Sequence, residues 1–99
     1  MKSKRSKACD ISQKVKQIVW DRDNQCCIYC GNHYAMPNAH FIPRSKGGLG
    51  IEQNIVTLCC KCHHNYDMTT MRSYYEEFIR NYLKGKYIDW NEDDLIYRK

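Results

Sequence analysis

Cys27-Ile28-Tyr29-Cys30 and, 28 residues later, Cys59-Cys60-Lys61-Cys62-His63 are the stretches that decide the fold. Each contains a C-x-x-C pair, and that short reach lets both sulfurs approach one tetrahedral ion at about 2.3 Å. Two such pairs in a reduced chain are the signature of a four-thiolate structural zinc (Zn2+) site, with Cys27, Cys30, Cys59 and Cys62 as ligands. The interval is longer than in a common zinc ribbon, so the ion closes a loop around an inserted segment that carries His40 and Asn54. Four buried free thiols are the bland alternative, and the spacing speaks against it. A redox C-x-x-C belongs in a thioredoxin-like βαβ surround, which neither pair has. Cys9, Cys26 and Cys60 are read as non-ligands; replacing Cys27 by Cys26 would give the less usual x3 spacing.

The remaining composition explains why a staple is needed. The chain has 99 residues, of which 42% are hydrophobic, and a mean hydropathy of −0.76. A chain of this length buries only about two-thirds of its unfolded surface, so one thin-cored domain is expected. The seven cysteines would leave one thiol over if oxidised, and no apolar run approaches the ~20 residues of a membrane span. The basic opening Met1-Lys2-Ser3-Lys4-Arg5-Ser6-Lys7 is followed by no apolar stretch and is not a secretion signal. The expectation is a cytoplasmic, reduced protein with no membrane partner. The net charge is +5, with +4 in residues 1–7 and −2 in residues 87–99. This predicts a basic disordered arm over 1–9, ahead of a single domain over 10–99. An arm of this kind suits a polyanion, with DNA first and Lys4 and Arg5 as contacts. It also suits a mere solubilising tail.

Along the chain, Asp10-Ile11-Ser12-Gln13 reads as a capping acid with Gln three positions on, predicting a helix over 11–22 that Asp23-Asn24 breaks. Ala39 to Ile42 reads as a short strand ended by Pro43. Arg44 to Gly50 reads as a flexible Gly-rich turn. Asn54 to Leu58 reads as a second strand, and Cys59 to Tyr66 as a knuckle running into a helix. Met71, Tyr74, Tyr75, Phe78, Ile79, Tyr82 and Leu83 recur at helical spacing and predict a helix ended by Gly85, the stripe facing the core and Arg72 on the wet side. Trp90 to Tyr97 reads as one more short helix.

Between the two pairs lie Ala39-His40-Phe41-Ile42-Pro43-Arg44-Ser45-Lys46-Gly47-Gly48, then Asn54-Ile55-Val56-Thr57-Leu58-Cys59, then Cys62-His63. In this order the sequence resembles the HNH endonucleases, in their zinc-stapled branch common in phages and bacteria. The motif is a strand His followed by I-x-P and a Gly-rich turn, an Asn opening a second strand, and C-x-x-C-H starting a helix. The resemblance covers residues 14–68, including the Arg22-Asp23 step before the first knuckle. It implies a small α+β fold with a ββα-metal, treble-clef-like centre over about 25–68 and C-terminal helices over 69–99.

Hydrolysis of a phosphodiester needs an activated water and a cation on the scissile phosphate. A neutral imidazole can take a proton from water at neutral pH. The resemblance implies that His40 is the general base, that Asn54 orients the loop bearing it or joins the metal site, and that His63 binds a catalytic Mg2+, Mn2+ or other divalent ion. Asp67, at i+4 from His63, falls on the same helical face and is the expected second ligand. Arg44 and Lys46 are expected phosphate contacts; the bland reading is a solvated turn. His33 and His64 read as surface residues. One departure stands out: many members place Asp directly before the base, where this chain has Ala39. The expected function is therefore metal-dependent DNA cleavage, within a phage packaging, restriction or homing context. The alternatives are a non-catalytic zinc-stapled DNA-binding module with a degenerate metal site and a treble-clef protein-interaction domain.

Overall fold

Short helices need caps, and the first two helices each begin at a serine. In the computed structural model, which describes residues 3–98, Ser3 Oγ accepts the Ser6 N–H at 3.1 Å and opens α1, Lys4–Cys9. Ser12 Oγ accepts the Val15 N–H at 3.1 Å and opens α2, Gln13–Arg22. Such bonds satisfy N–H groups that the first helical turn leaves without partners. The cap of α2 is thus Ser12, not the acid at Asp10. Asp23 closes the helix, and Asn24 and Gln25 follow with φ of 60° and 58°.

α1 places Lys4–Cys9, most of the segment expected as a disordered arm over 1–9, in a helix. Met1 and Lys2 lie outside the described residues; from Lys4 the segment is helical and tied down. Cys9 is buried, Gly50 donates its N–H to the Ala8 carbonyl at 3.0 Å, and Arg5 Nη2 donates to the Ser45 carbonyl at 3.1 Å. These ties end on backbone carbonyls, which composition and charge do not announce.

Two strands, β1 (Ala35–His40) and β2 (Ile55–Cys59), pair antiparallel. β1 begins four residues before the sequence placed it. The pairs Met36↔Leu58 and Ala39↔Val56 set three steps of β1 against two of β2. This bulge accommodates Pro37, whose missing N–H makes the segment look like a breaker. Every residue of β2 is buried. A two-stranded ribbon is not stable alone, and α2 and α3 (Cys60–Met68) both pack on both strands.

α4 (Arg72–Lys86) packs on α3. Only part of its aromatic stripe is core: Tyr75, Ile79 and Leu83 are buried, while Met71, Tyr74 and Phe78 are exposed. The Tyr29 ring of the first knuckle stacks on Tyr75 at 4.2 Å and meets Phe78 edge-on at 5.0 Å. Beyond α4, the helix expected over 90–97 is a single 3₁₀ turn, Glu92–Leu95. Trp90 Nε1 donates to the Gln53 carbonyl at 2.8 Å.

The Gly-rich segment is pinned rather than flexible. Leu49 donates to Leu95 O at 2.8 Å and Tyr97 to Gly47 O at 2.7 Å, so the C-terminal stretch holds one side. A Cβ at Gly48 would collide with the Ile42 carbonyl, and one at Gly50 with the Asp10 carbonyl. Glycine therefore permits both close approaches. Among the described residues, no helix is long and apolar enough to cross a membrane.

A buried ion pair joins α2, β2 and α4. Asp23 takes Arg22 Nε at 2.7 Å and Nη2 at 3.1 Å, the Tyr82 hydroxyl at 2.6 Å and the Thr57 N–H at 2.8 Å. Arg22 also donates to the carbonyls of Glu52 and Ile55 and to the Tyr87 hydroxyl. Burial works against the Arg22 charge, but Asp23 outweighs it and raises the pKa further. The sequence marked the Arg22-Asp23 step through the resemblance, but its residue types alone signalled only a helix end.

Candidate active site and metal centre

The first knuckle follows the turn at Asn24-Gln25, and the second spans the junction of β2 and α3. Together they bring the Sγ atoms of Cys27, Cys30, Cys59 and Cys62 within 4.8 Å of one another. Corners of a tetrahedron with bonds of about 2.3 Å stand about 3.8 Å apart, so the group can hold a structural metal such as zinc. Cys59 Sγ also caps α3 by accepting the Cys62 N–H at 3.4 Å. Burial pushes the Cys27 thiol up, yet the backbone N–H groups of Cys30, Cys59 and Tyr29 outweigh it and bring it down to about 7. A thiolate is the form a metal requires. Cys9, Cys26 and Cys60 lie outside the group.

A second centre opens on the other side of β1. One cleft is lined by Asn38, His40, Arg44, Lys46, His63, Asp67 and Arg72. Of the residues singled out in the sequence, it brings together His40, His63, Asp67, Arg44 and Lys46. Asn38 and Arg72 are additional, and the sequence did not single either out.

His40 ends β1 and is half-buried. Its Nε2 lies 2.8 Å from the Cys9 carbonyl. A carbonyl only accepts, so Nε2 carries the proton and the neutral ring leaves the Nδ1 lone pair free. Burial lowers the pKa of His40; the Cys9 carbonyl opposes this, and the Arg44 charge adds to it. The ring is therefore neutral near pH 7.

His63 and Asp67 lie one turn apart on α3, with His63 Nε2 3.1 Å from Asp67 Oδ2. Adjacent ligands of an octahedral ion with bonds of about 2.1 Å stand about 3.0 Å apart. The pair is thus spaced both for a hydrogen bond and for sharing one hard cation.

Asn54 does not reach the cleft. It is fully buried; its Oδ1 accepts the Ile42 N–H at 2.8 Å, and its Nδ2 donates to Leu49 O at 2.8 Å and Ile42 O at 3.2 Å. These bonds hold the two ends of the 42–49 loop and leave no oxygen facing the cleft for a metal. Ala39 of β1 is equally inward, fully buried among the core side chains, and does not line the cleft.

The cations differ in freedom. Arg44 pairs with Asp10 at 2.8 Å. Arg72 lies over the Tyr66 ring at 4.4 Å and donates to the Tyr66 carbonyl at 3.1 Å. Lys4 is exposed on α1, and Arg5 is exposed beside the loop.

With this geometry in hand, comparison with known proteins adds two findings. A family described as HNH endonuclease matches residues 27–83. Anaredoxin from a Nostoc species is 34% identical over 55 residues, a match covering 54% of this chain and 72% of that protein.

Proposed function

The chain belongs to the HNH endonuclease family, and from that premise we propose that it hydrolyses DNA phosphodiester bonds, with His40 as general base and a divalent cation held by His63 and Asp67. One observation carries this reading. His40 has one ring nitrogen tied to the Cys9 carbonyl and the other free, on the wall of a cleft shared with His63, Asp67 and three cations.

The base works as a fixed tautomer. Nε2–H stays on the Cys9 carbonyl while Nδ1 takes a proton from water, so the ring need not turn. Arg44, Lys46 and Arg72 are placed to receive non-bridging phosphate oxygens. The bound divalent ion supplies positive charge against the negative charge that develops on the phosphate and leaving oxygen. Asn54 acts as a positioning residue by clamping the loop that follows His40. The zinc staple, seated at the start of α3, holds His63 in place. Lys4 and Arg5 extend the basic surface along the DNA.

The test is nicking of supercoiled plasmid with Mg2+ or Mn2+ added to the zinc-loaded protein. Cleavage is expected with the added ion, and none when that ion is withheld. His63→Ala and Asp67→Ala should each lose cleavage while retaining zinc. Salt-sensitive DNA binding with no cleavage under either metal would return the reading to a non-catalytic DNA-binding module.

A further inference from the structure

We propose that Asn38 is a ligand of the divalent-cation site, supplying through Oδ1 the oxygen that completes the set begun by His63 and Asp67. This rests on the proposed function, and it adds a residue that the sequence pattern does not mark.

The first observation is an orphan. Asn38 Oδ1 is buried and, among the described residues, has no hydrogen-bond partner. Buried carbonyl oxygens in folded proteins are nearly always paired, and one left unpaired calls for an explanation. Two cations of the cleft have other partners: Arg72 Nη1 donates to the Tyr66 carbonyl, and Arg44 pairs with Asp10.

The second observation is placement. Asn38 sits inside the β1 bulge, between the ladder pairs of Met36 and Ala39, directly after Pro37. A bulge re-aims a side chain and loosens the ladder around it. Ala39 turns into the core, whereas Asn38 and His40 line the cleft together with His63 and Asp67. The strand therefore presents position 38 to the cleft.

The third observation is chemical. Asn38, His63 and Asp67 line one cleft, so an amide, an imidazole and a carboxylate share it. An acceptor-only oxygen beside a carboxylate gains nothing from the carboxylate, and a cation satisfies both. One nitrogen and two hard oxygens suit Mg2+ or Mn2+ and leave positions open for water and phosphate.

The experiment titrates Mn2+ into zinc-loaded full-length protein and follows free Mn2+ by its paramagnetic resonance signal. Wild type, Asn38→Ala, Asn38→Asp and His63→Ala are compared, with zinc content and thermal melting measured before Mn2+ is added. Wild type should bind one Mn2+, and His63→Ala should lose it. Asn38→Ala should weaken Mn2+ by at least about 10-fold, the lower end of what displaced metal-site partners cost. Its melting temperature without Mn2+ should be unchanged or higher, because an unpaired buried oxygen has been removed; a merely structural Asn would melt lower. Asn38→Asp should bind Mn2+ more tightly than wild type. If Asn38→Ala binds Mn2+ like wild type while His63→Ala does not, Asn38 is no ligand and the proposed function stands. If Asn38→Asp binds no more tightly than wild type, the ligand assignment also falls. If wild type binds no Mn2+, or His63→Ala binds it unchanged, both readings fall.

Discussion

Removing the Asp23 carboxylate should be among the most damaging single changes in this chain. Asp23 is 2% exposed and accepts four hydrogen bonds, two from Arg22 and one each from Tyr82 and the Thr57 backbone. In Asp23→Ala the Arg22 guanidinium, whose side chain is only 11% exposed, keeps its carbonyl partners but loses its counter-charge. Breaking one partner of a buried pair costs about 3–5 kcal/mol. A domain of this length has only about 5–15 kcal/mol in all, so about a fifth or more of its stability should go. At about 4 °C or more per kcal/mol for a domain this small, the melting temperature should fall by about 12 °C or more. Tyr82→Phe removes one hydrogen bond to a charged acceptor and should cost about 1.5–3 kcal/mol. The assay is urea unfolding at a fixed excess of zinc, since metal bound to the native state shifts the midpoint. An Asp23→Ala midpoint within about 1 kcal/mol of wild type at unchanged slope would refute the view that this pair organises the core.

Strong chelation should remove one zinc per chain and unfold the protein, because the binding free energy of such a site is largely folding free energy. Cys59→Ser should lose the zinc and Cys60→Ser keep it, measured by elemental analysis of purified protein. Gly50→Ala places a methyl group against the Asp10 carbonyl; it should displace α1, free His40 Nε2 from the Cys9 carbonyl and lower cleavage at least 10-fold with zinc retained, in a plasmid assay. If Lys4 and Lys7 touch phosphates, replacing both with Ala should lower the slope of log K against log salt by up to about 2. An unchanged slope would place the DNA surface at Arg44 and Lys46 instead.

What was legible in the sequence was what spacing can encode. Two C-x-x-C pairs fixed the four thiols, because four sulfurs on one ion tolerate few chain paths. The i+4 step from His63 to Asp67 was readable once a helix was expected there. The stripe of α4 was readable as a helix, but of its members only Tyr75, Ile79 and Leu83 are core, because spacing shows which residues share a face and not how much of that face its neighbours cover. Contacts that end on backbone carbonyls left no trace in residue type. The hold of Cys9 O on His40 and of Ala8 O on Gly50 are of this kind, and they turn an apparent basic tail into a helix beside the base. Asn38 escaped notice because Pro37 reads as a strand breaker; only the register of β1 against β2 reveals the bulge. Arg72 was assigned to the wet face of α4, but it is half-buried over the Tyr66 ring and borders the cleft.

The most direct measurement compares wild type with His40→Ala in plasmid cleavage, scoring DNA binding and zinc content on the same preparations. The His40 side chain is half-buried and is tied to Cys9 O by one hydrogen bond among the described residues, while its backbone pairing in β1 does not depend on the ring, so the variant should fold, hold zinc and bind DNA like wild type. Its cleavage rate should fall by the roughly 10²–10⁴-fold expected when a general base is lost. Cleavage by His40→Ala at the wild-type rate would contradict the assignment of His40 as the base.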